Sequence, residues 1–146
     1  MDKLKIDPTT FTPEVTFDVE KRVFEISGES RPQDSREFYA QIITWLNELD
    51  AHLKPSGKEQ NEYVFNLNFN YFNSSSGKFI LDICKIIARI RAREINASVR
   101  WYHERDDNDM LQAGMEISQM VRFPFEYVET EPKDYFPNGN GLDQSE

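Results

Sequence analysis

The chain has 146 residues, the size of one domain. Its 17 Lys and Arg against 26 Asp and Glu leave a net charge of -9, which argues against a dedicated nucleic-acid binder, because such a protein concentrates basic surface against phosphates. Apolar residues amount to only 38%, but 13% of the chain is aromatic, and large rings bury enough area each to supply a core.

One cysteine, Cys84, excludes an internal disulfide and a cysteine-based zinc cluster. His52 and His103 show no ligand spacing. The first residues carry no apolar run of signal-peptide length, Pro8 follows at once, and nothing approaches the roughly 20 apolar residues that span a bilayer. The expectation is a cytoplasmic protein with no membrane and no nucleic-acid partner. Asn73-Ser74-Ser75 and Asn96-Ala97-Ser98 match the glycosylation pattern, which has no use without secretion.

Val15, Phe17 and Val19 alternate with polar residues, Glu20-Lys21-Arg22 interrupts, and Val23 to Ile26 resumes before Gly28; this predicts two short strands and a tight turn. Asp34 with Glu37 three residues on is a helix start. Phe38, Ile42, Trp45, Leu46, Leu49 and Leu53 then recur at helical spacing until Pro55 and Gly57. From Tyr63 to Tyr71 the period is two, with Tyr63, Phe65, Leu67, Phe69 and Tyr71 on one face and Asn66, Asn68 and Asn70 on the other. After Asn73-Ser74-Ser75-Ser76-Gly77 a second amphipathic helix turns Phe79, Ile80, Ile83, Ile87 and Ile90 inward. Ala97, Val99, Trp101 and Tyr102 predict another strand. The acidic stretch Glu104 to Asp109 reads as a solvated loop and cap for a third helix, whose Met110, Met115 and Met120 are expected in the core and which Gly114 weakens. A last strand spans Phe125 to Val128. The order strand, strand, helix, strand, helix, strand, helix, strand is that of an α/β domain with a mixed sheet and packed helices. It leaves 1–9 as an N-terminal extension and 131–146 as a flexible acidic tail.

Catalysis finds little support. No serine or cysteine has a recognisable base in place, and the stretch after His103 lacks the glycine and closing glutamate of a calcium loop. His52 reads as a dipole partner at a helix end and Cys84 as a small core residue. No enzyme activity and no cofactor are expected. The serine triplet carries two readings that hold together. Ser75 or Ser76 serves as N-cap, and Ser74 or Ser75 accepts a phosphoryl group where unpaired first-turn amides favour negative charge. The second helix carries Lys78, Lys85, Arg89, Arg91 and Arg93 against a lone Asp82. Lys78, Lys85, Arg89 and Arg93 share one stripe, which either docks an acidic partner or pairs with the chain's own acids. A further reading, a small-molecule sensor or enzyme, places a ligand on the Asn66-Asn68-Asn70 face with His103.

The strand end Tyr71-Phe72-Asn73, the run Ser74-Ser75-Ser76 and the helix with Asp82-Ile83 resemble the SiaC family of regulatory phosphoproteins, STAS-like relatives of the anti-sigma-factor antagonists. Phe38 to Leu46, Val99-Arg100-Trp101-Tyr102 and Phe123-Pro124-Phe125-Glu126 fit as well, so the resemblance spans roughly residues 10–130. It implies a STAS-like domain and a non-enzymatic switch. In that family a serine/threonine kinase phosphorylates one hydroxyl at the strand–helix junction, a phosphatase removes the group, and the unmodified form activates a diguanylate cyclase, raising cyclic di-GMP and promoting biofilm formation; the resemblance implies the same here. The family's modified position follows the asparagine, hence Ser74, where a threonine is common; the pattern of the wider antagonist family falls on Ser75. The expected partner surface comprises Asn73, Ser76, Lys78, Lys85, Arg89 and Arg93. An anti-sigma kinase as partner is the alternative.

Overall fold

The computed structural model describes residues 1–55 and 61–132. The expected acidic tail falls, from residue 133 on, outside the described residues. Nine elements follow one another: β1 (Leu4–Ile6), β2 (Glu14–Asp18), β3 (Val23–Ser30), α1 (Ser35–His52), β4 (Tyr63–Phe72), α2 (Ser74–Ala92), β5 (Ala97–Glu104), α3 (Asn108–Val121) and β6 (Glu126–Thr130). The expected α/β order is present, with one strand added. Residues 4–6 pair antiparallel with β2, Leu4 opposite Phe17 and Ile6 opposite Val15. Three residues are too few for a visible period.

Spatial order in the sheet is chain order, β1 to β6. β1, β2 and β3 are antiparallel neighbours, and β3 to β6 run parallel. Each parallel step goes in the same direction, so right-handed crossovers carry all three helices to one side, where α1 packs on α2 and α2 on α3. Strand burial follows: Phe17, Phe24, Ile26, Phe65, Leu67, Val99 and Trp101 lie under the helices, fully buried. On the open face Asn66, Asn68, Asn70 and Tyr102 are half-buried.

Local chemistry sets the boundaries. Asp34 accepts from the Glu37 amide at 3.1 Å and starts α1. Asp107 does the same for α3 through the Met110 amide at 3.0 Å. His52 closes α1 by donating from Nδ1 to the Glu48 carbonyl at 2.9 Å. α2 buries Ile80, Ile83, Ile86, Ile87 and Ile90, each contributing about 1.5–3 kcal/mol. Burial pushes the Cys84 thiol above its usual range, as befits a core residue.

Four details differ from expectation. β3 does not stop at Gly28; it passes through it at φ +124°, a value that side-chain-bearing residues rarely adopt, and continues to Ser30. Opposite that point β4 carries one extra residue, since Gly28 pairs with Phe69 and Glu29 with Tyr71. The bulge resets the alternation, leaving Tyr71 48% exposed while Phe72 turns in against Phe69 and Trp101. On α3 the inward line runs through Met110, Gly114 and Ile117, so Met115 and Met120, one step off it, are exposed. Finally, Gly114 is a close-approach position. A Cβ there would stand 2.4 Å from the Trp101 indole, whose Nε1 donates to the Met110 carbonyl at 2.9 Å.

Candidate functional site

The junction of β4 and α2 sits at the carboxyl ends of the parallel strands, beside the end of β3 and the start of α1. The N-cap of α2 is Asn73, not Ser75 or Ser76. Its Oδ1 accepts from the Ser76 amide at 2.9 Å, and its backbone carbonyl accepts the first helical bond from Gly77 at 3.0 Å. Asparagine ranks with serine as a cap, and this choice moves all three serines into the first turn. Their hydroxyls then meet three different environments.

Ser76 is fully buried. Its hydroxyl donates to the Ser30 carbonyl at 3.2 Å and accepts from the Ser30 hydroxyl at 2.9 Å. With the Ser30 proton so used, the Tyr39 phenol donates to Ser30 Oγ at 2.6 Å. Burial pushes the Tyr39 phenol up to about 12, against a smaller opposing pull from the Ser30 and Ser76 hydroxyls. Ser75 is exposed but engaged: it donates to Asn73 Oδ1 at 3.1 Å and pairs with Ser35 Oγ at 2.7 Å. Ser74 is exposed, and its hydroxyl has no hydrogen bond among the described residues.

No acidic side chain occupies the first turn of α2. Lys78 lies one turn on, exposed, with its ammonium 5.2 Å from the Phe79 ring centroid. Lys85 is exposed too. The other two members of the stripe are tied to α1: Arg89 Nε donates to Asp50 at 2.9 Å and its Nη2 to Asn47 at 2.7 Å, while Arg93 reaches Asp50 Oδ1 at 2.5 Å. Arg91 packs over Phe123, 4.3 Å from its centroid. The stripe is thus divided, without a partner acid at Lys78 and Lys85 among the described residues and fastened to α1 at the far end.

His103 lies buried on the helix side of β5 with Trp101, opposite the face that carries Asn66, Asn68 and Asn70. Asn66 is bonded to the Tyr102 hydroxyl at 2.8 Å. One ligand site using both the asparagines and His103 is therefore not formed. Among the described residues, no group of three or more His, Cys, Asp or Glu is placed to hold a metal ion, and no helix is long and apolar enough to cross a membrane.

The model of the SiaC family regulatory phosphoproteins matches residues 6–130. The chain belongs to this family. The SiaC match takes in all of the sheet from β2 on and the three helices. A Pseudomonas aeruginosa protein described as uncharacterised is 26% identical over 125 residues, covering 86% of this chain and 94% of its own length. The crystal structure of apo-SiaC from Pseudomonas aeruginosa superposes with a TM-score of 0.73 at 25% identity, over 88% of this chain and 99% of that one. A chain in the crystal structure of the diguanylate cyclase SiaD in complex with its activator SiaC, also from Pseudomonas aeruginosa, gives 0.76 at 25% identity, over 87% and 99%.

Sequence reasoning missed Ser30 and Ser35, which lie 46 and 40 residues upstream of their partners in the triplet, and Tyr39, which bonds to Ser30. A signal existed for Tyr39. It falls on the apolar face of α1, and a buried phenol needs a hydrogen-bond partner.

Proposed function

We propose that this chain is a non-enzymatic regulator whose unphosphorylated form binds and activates a diguanylate cyclase, and that a phosphoryl group on Ser74 ends the interaction. The observation that carries the reading is the sorting of three adjacent hydroxyls: Ser76 buried, Ser75 engaged, Ser74 exposed and unengaged. A kinase needs an accessible, uncommitted acceptor, and only Ser74 meets both requirements. Ser75 stands second, since modifying it breaks its bonds to Ser35 and Asn73.

The electrostatics support the same position. A phosphoserine adds about -1.5 to -2 charge at pH 7. At Ser74 that charge meets the positive end of the α2 dipole and no acid in the first turn. The modification is thus compatible with the fold and changes the surface instead. Lys78 supplies positive charge one turn from it and Lys85 carries that exposed charge further along the helix, and Asn73 holds the backbone that presents it; Ser76 acts from beneath. Arg89 and Arg93, held by Asp50, contribute through the α1–α2 contact. The solved complex of SiaD with its activator SiaC supports a cyclase as the partner class.

Phosphopeptide mapping after incubation with the cognate serine/threonine kinase tests the site: the group is expected on Ser74, and loss of the mark by treatment with the matching phosphatase completes the cycle. Modification outside the triplet refutes the reading. In parallel, cyclase affinity is measured with Ser74→Asp, for which a loss of roughly tenfold or more is expected, from like-charge and desolvation costs at a contact.

A further inference from the structure

The segment joining β3 to α1 runs alongside the junction and is fastened to it at both ends. At one end the Asn73 amide donates to the Ser30 carbonyl at 3.0 Å; at the other Ser35 Oγ pairs with Ser75 Oγ. Arg31 and Ser74 are the residues immediately after the bonded pair Ser30 and Asn73, each one Cα step of about 3.8 Å further on. Their Cα atoms therefore stand no further apart than those of Ser30 and Asn73 plus two such steps, a span that an extended arginine and a phosphoserine side chain cover together.

Arg31 is placed on a small surface assembly. Its guanidinium lies over the Phe11 ring, 4.6 Å from the centroid, and its Nε donates to the Glu29 carboxylate. Glu29 is the register partner of Tyr71. Phe11 and Tyr71 are half exposed, at 50% and 48%. An arginine stacked on one half-exposed aromatic, with a second on the neighbouring strand, has the composition of a protein-docking centre.

We propose that Arg31 reads the phosphate on Ser74: when the dianion is present, the guanidinium leaves Phe11 and Glu29 for it, and the Phe11–Arg31–Glu29 cluster comes apart. This rests on Ser74 as the modified residue and deepens that reading by naming the group that senses the modification. The exchange is favourable in kind. A phosphate offers three acceptor oxygens and nearly twice the charge of a carboxylate, and it matches the guanidinium fork in the same way. Two other charged residues belong to the same neighbourhood by position: Lys78, one turn on in α2, and Asp34, next to the Ser35 that pairs with Ser75. Lys78 is a point charge on the same helix as the phosphate and touches none of the aromatic assembly.

The test uses the full chain carrying phosphoserine at position 74 and follows the phosphate by 31P NMR against pH. With Arg31 paired to it, the second phosphate ionisation is expected about one unit lower than in Arg31→Gln, the size of shift that an adjacent guanidinium gives a carboxylate. Phe11 ring resonances are expected to move on phosphorylation of the wild type and to stay put in the Arg31→Gln protein. Arg31→Lys should restore only part of the shift. An unchanged phosphate titration in Arg31→Gln, or a shift abolished instead by Lys78→Gln, overturns the proposal. Cyclase binding, measured on the same samples, separates the two readings: phosphate-blocked binding with no Arg31-dependent shift leaves the switch at Ser74 intact and removes Arg31 from it.

Discussion

The two ends of α2 resemble each other in sequence interest and differ in what the fold does with them. The last turns carry the conspicuous charge, Arg89 and Arg93, yet both guanidiniums are bound to Asp50 on α1. The first turn carries small neutral hydroxyls, and one of them, on Ser74, remains free of any hydrogen bond among the described residues. A visible charge run serves internal fastening there, while the exposed and unengaged group is an inconspicuous serine. The difference teaches that exposed charge on a helix can be committed to the fold while a small neutral group stays available.

The sharpest way to break this contrast is to place the same carboxylate at each serine and measure chemical denaturation. Ser76→Asp buries an ion among Ser30 and Tyr39 and is expected to cost about 3 kcal/mol or more. Ser75→Asp loses the pair with Ser35 and should cost about 1 kcal/mol. Ser74→Asp, at a helix N-terminus, should be neutral or stabilising by about 0.5 kcal/mol. A flat response across the three would erase the sorting of the first turn.

Alkaline titration sharpens the buried side of the same turn. The Tyr39 phenol is raised from 10.0 to about 12 in the folded protein, so the neutral form is the one that folding favours. Its contribution is complete below pH 10 and is lost as pH rises toward 12, because the unfolded chain releases that proton first. Unfolding followed between pH 9 and 12 should show stability falling by about 2 kcal/mol more in the wild type than in Tyr39→Phe. At neutral pH Tyr39→Phe removes the donor to Ser30 and should cost about 1 kcal/mol.

At the opposite end the expected effect is smaller. Asp50 is the shared acceptor of two partly exposed arginines, so Asp50→Asn should cost about 1 kcal/mol, most of it lost in 1 M salt. A cost insensitive to salt would mean that packing and not charge joins α1 to α2 there.

How far the sequence told this in advance can be judged element by element. The helices were legible because Asp34 and Asp107 cap them and their apolar residues keep a period. β4 was legible up to Phe69 and then misread, because a bulge is a property of two strands and cannot be seen in one. Gly114 looked like a flaw in α3 until the Trp101 ring explained it. Within the site, the serine triplet stood out, but its ranking depended on Ser30, Ser35 and Tyr39, contacts between distant segments that carry no local pattern. Of the two readings of the basic stripe, pairing with the chain's own acids holds at Arg89 and Arg93, both bound to Asp50, while Lys78 and Lys85 are exposed.

Because strands lie side by side in the order in which they are encoded, each new one emerging during synthesis finds its neighbour already laid down. No strand has to wait for a distant partner or insert between two others. Assembly by addition at a growing edge limits each loop closure to the one connection between sequence neighbours, and beyond the outer edge of β1 the half-built protein presents one further unpaired border at a time to the crowded surroundings in which it is made.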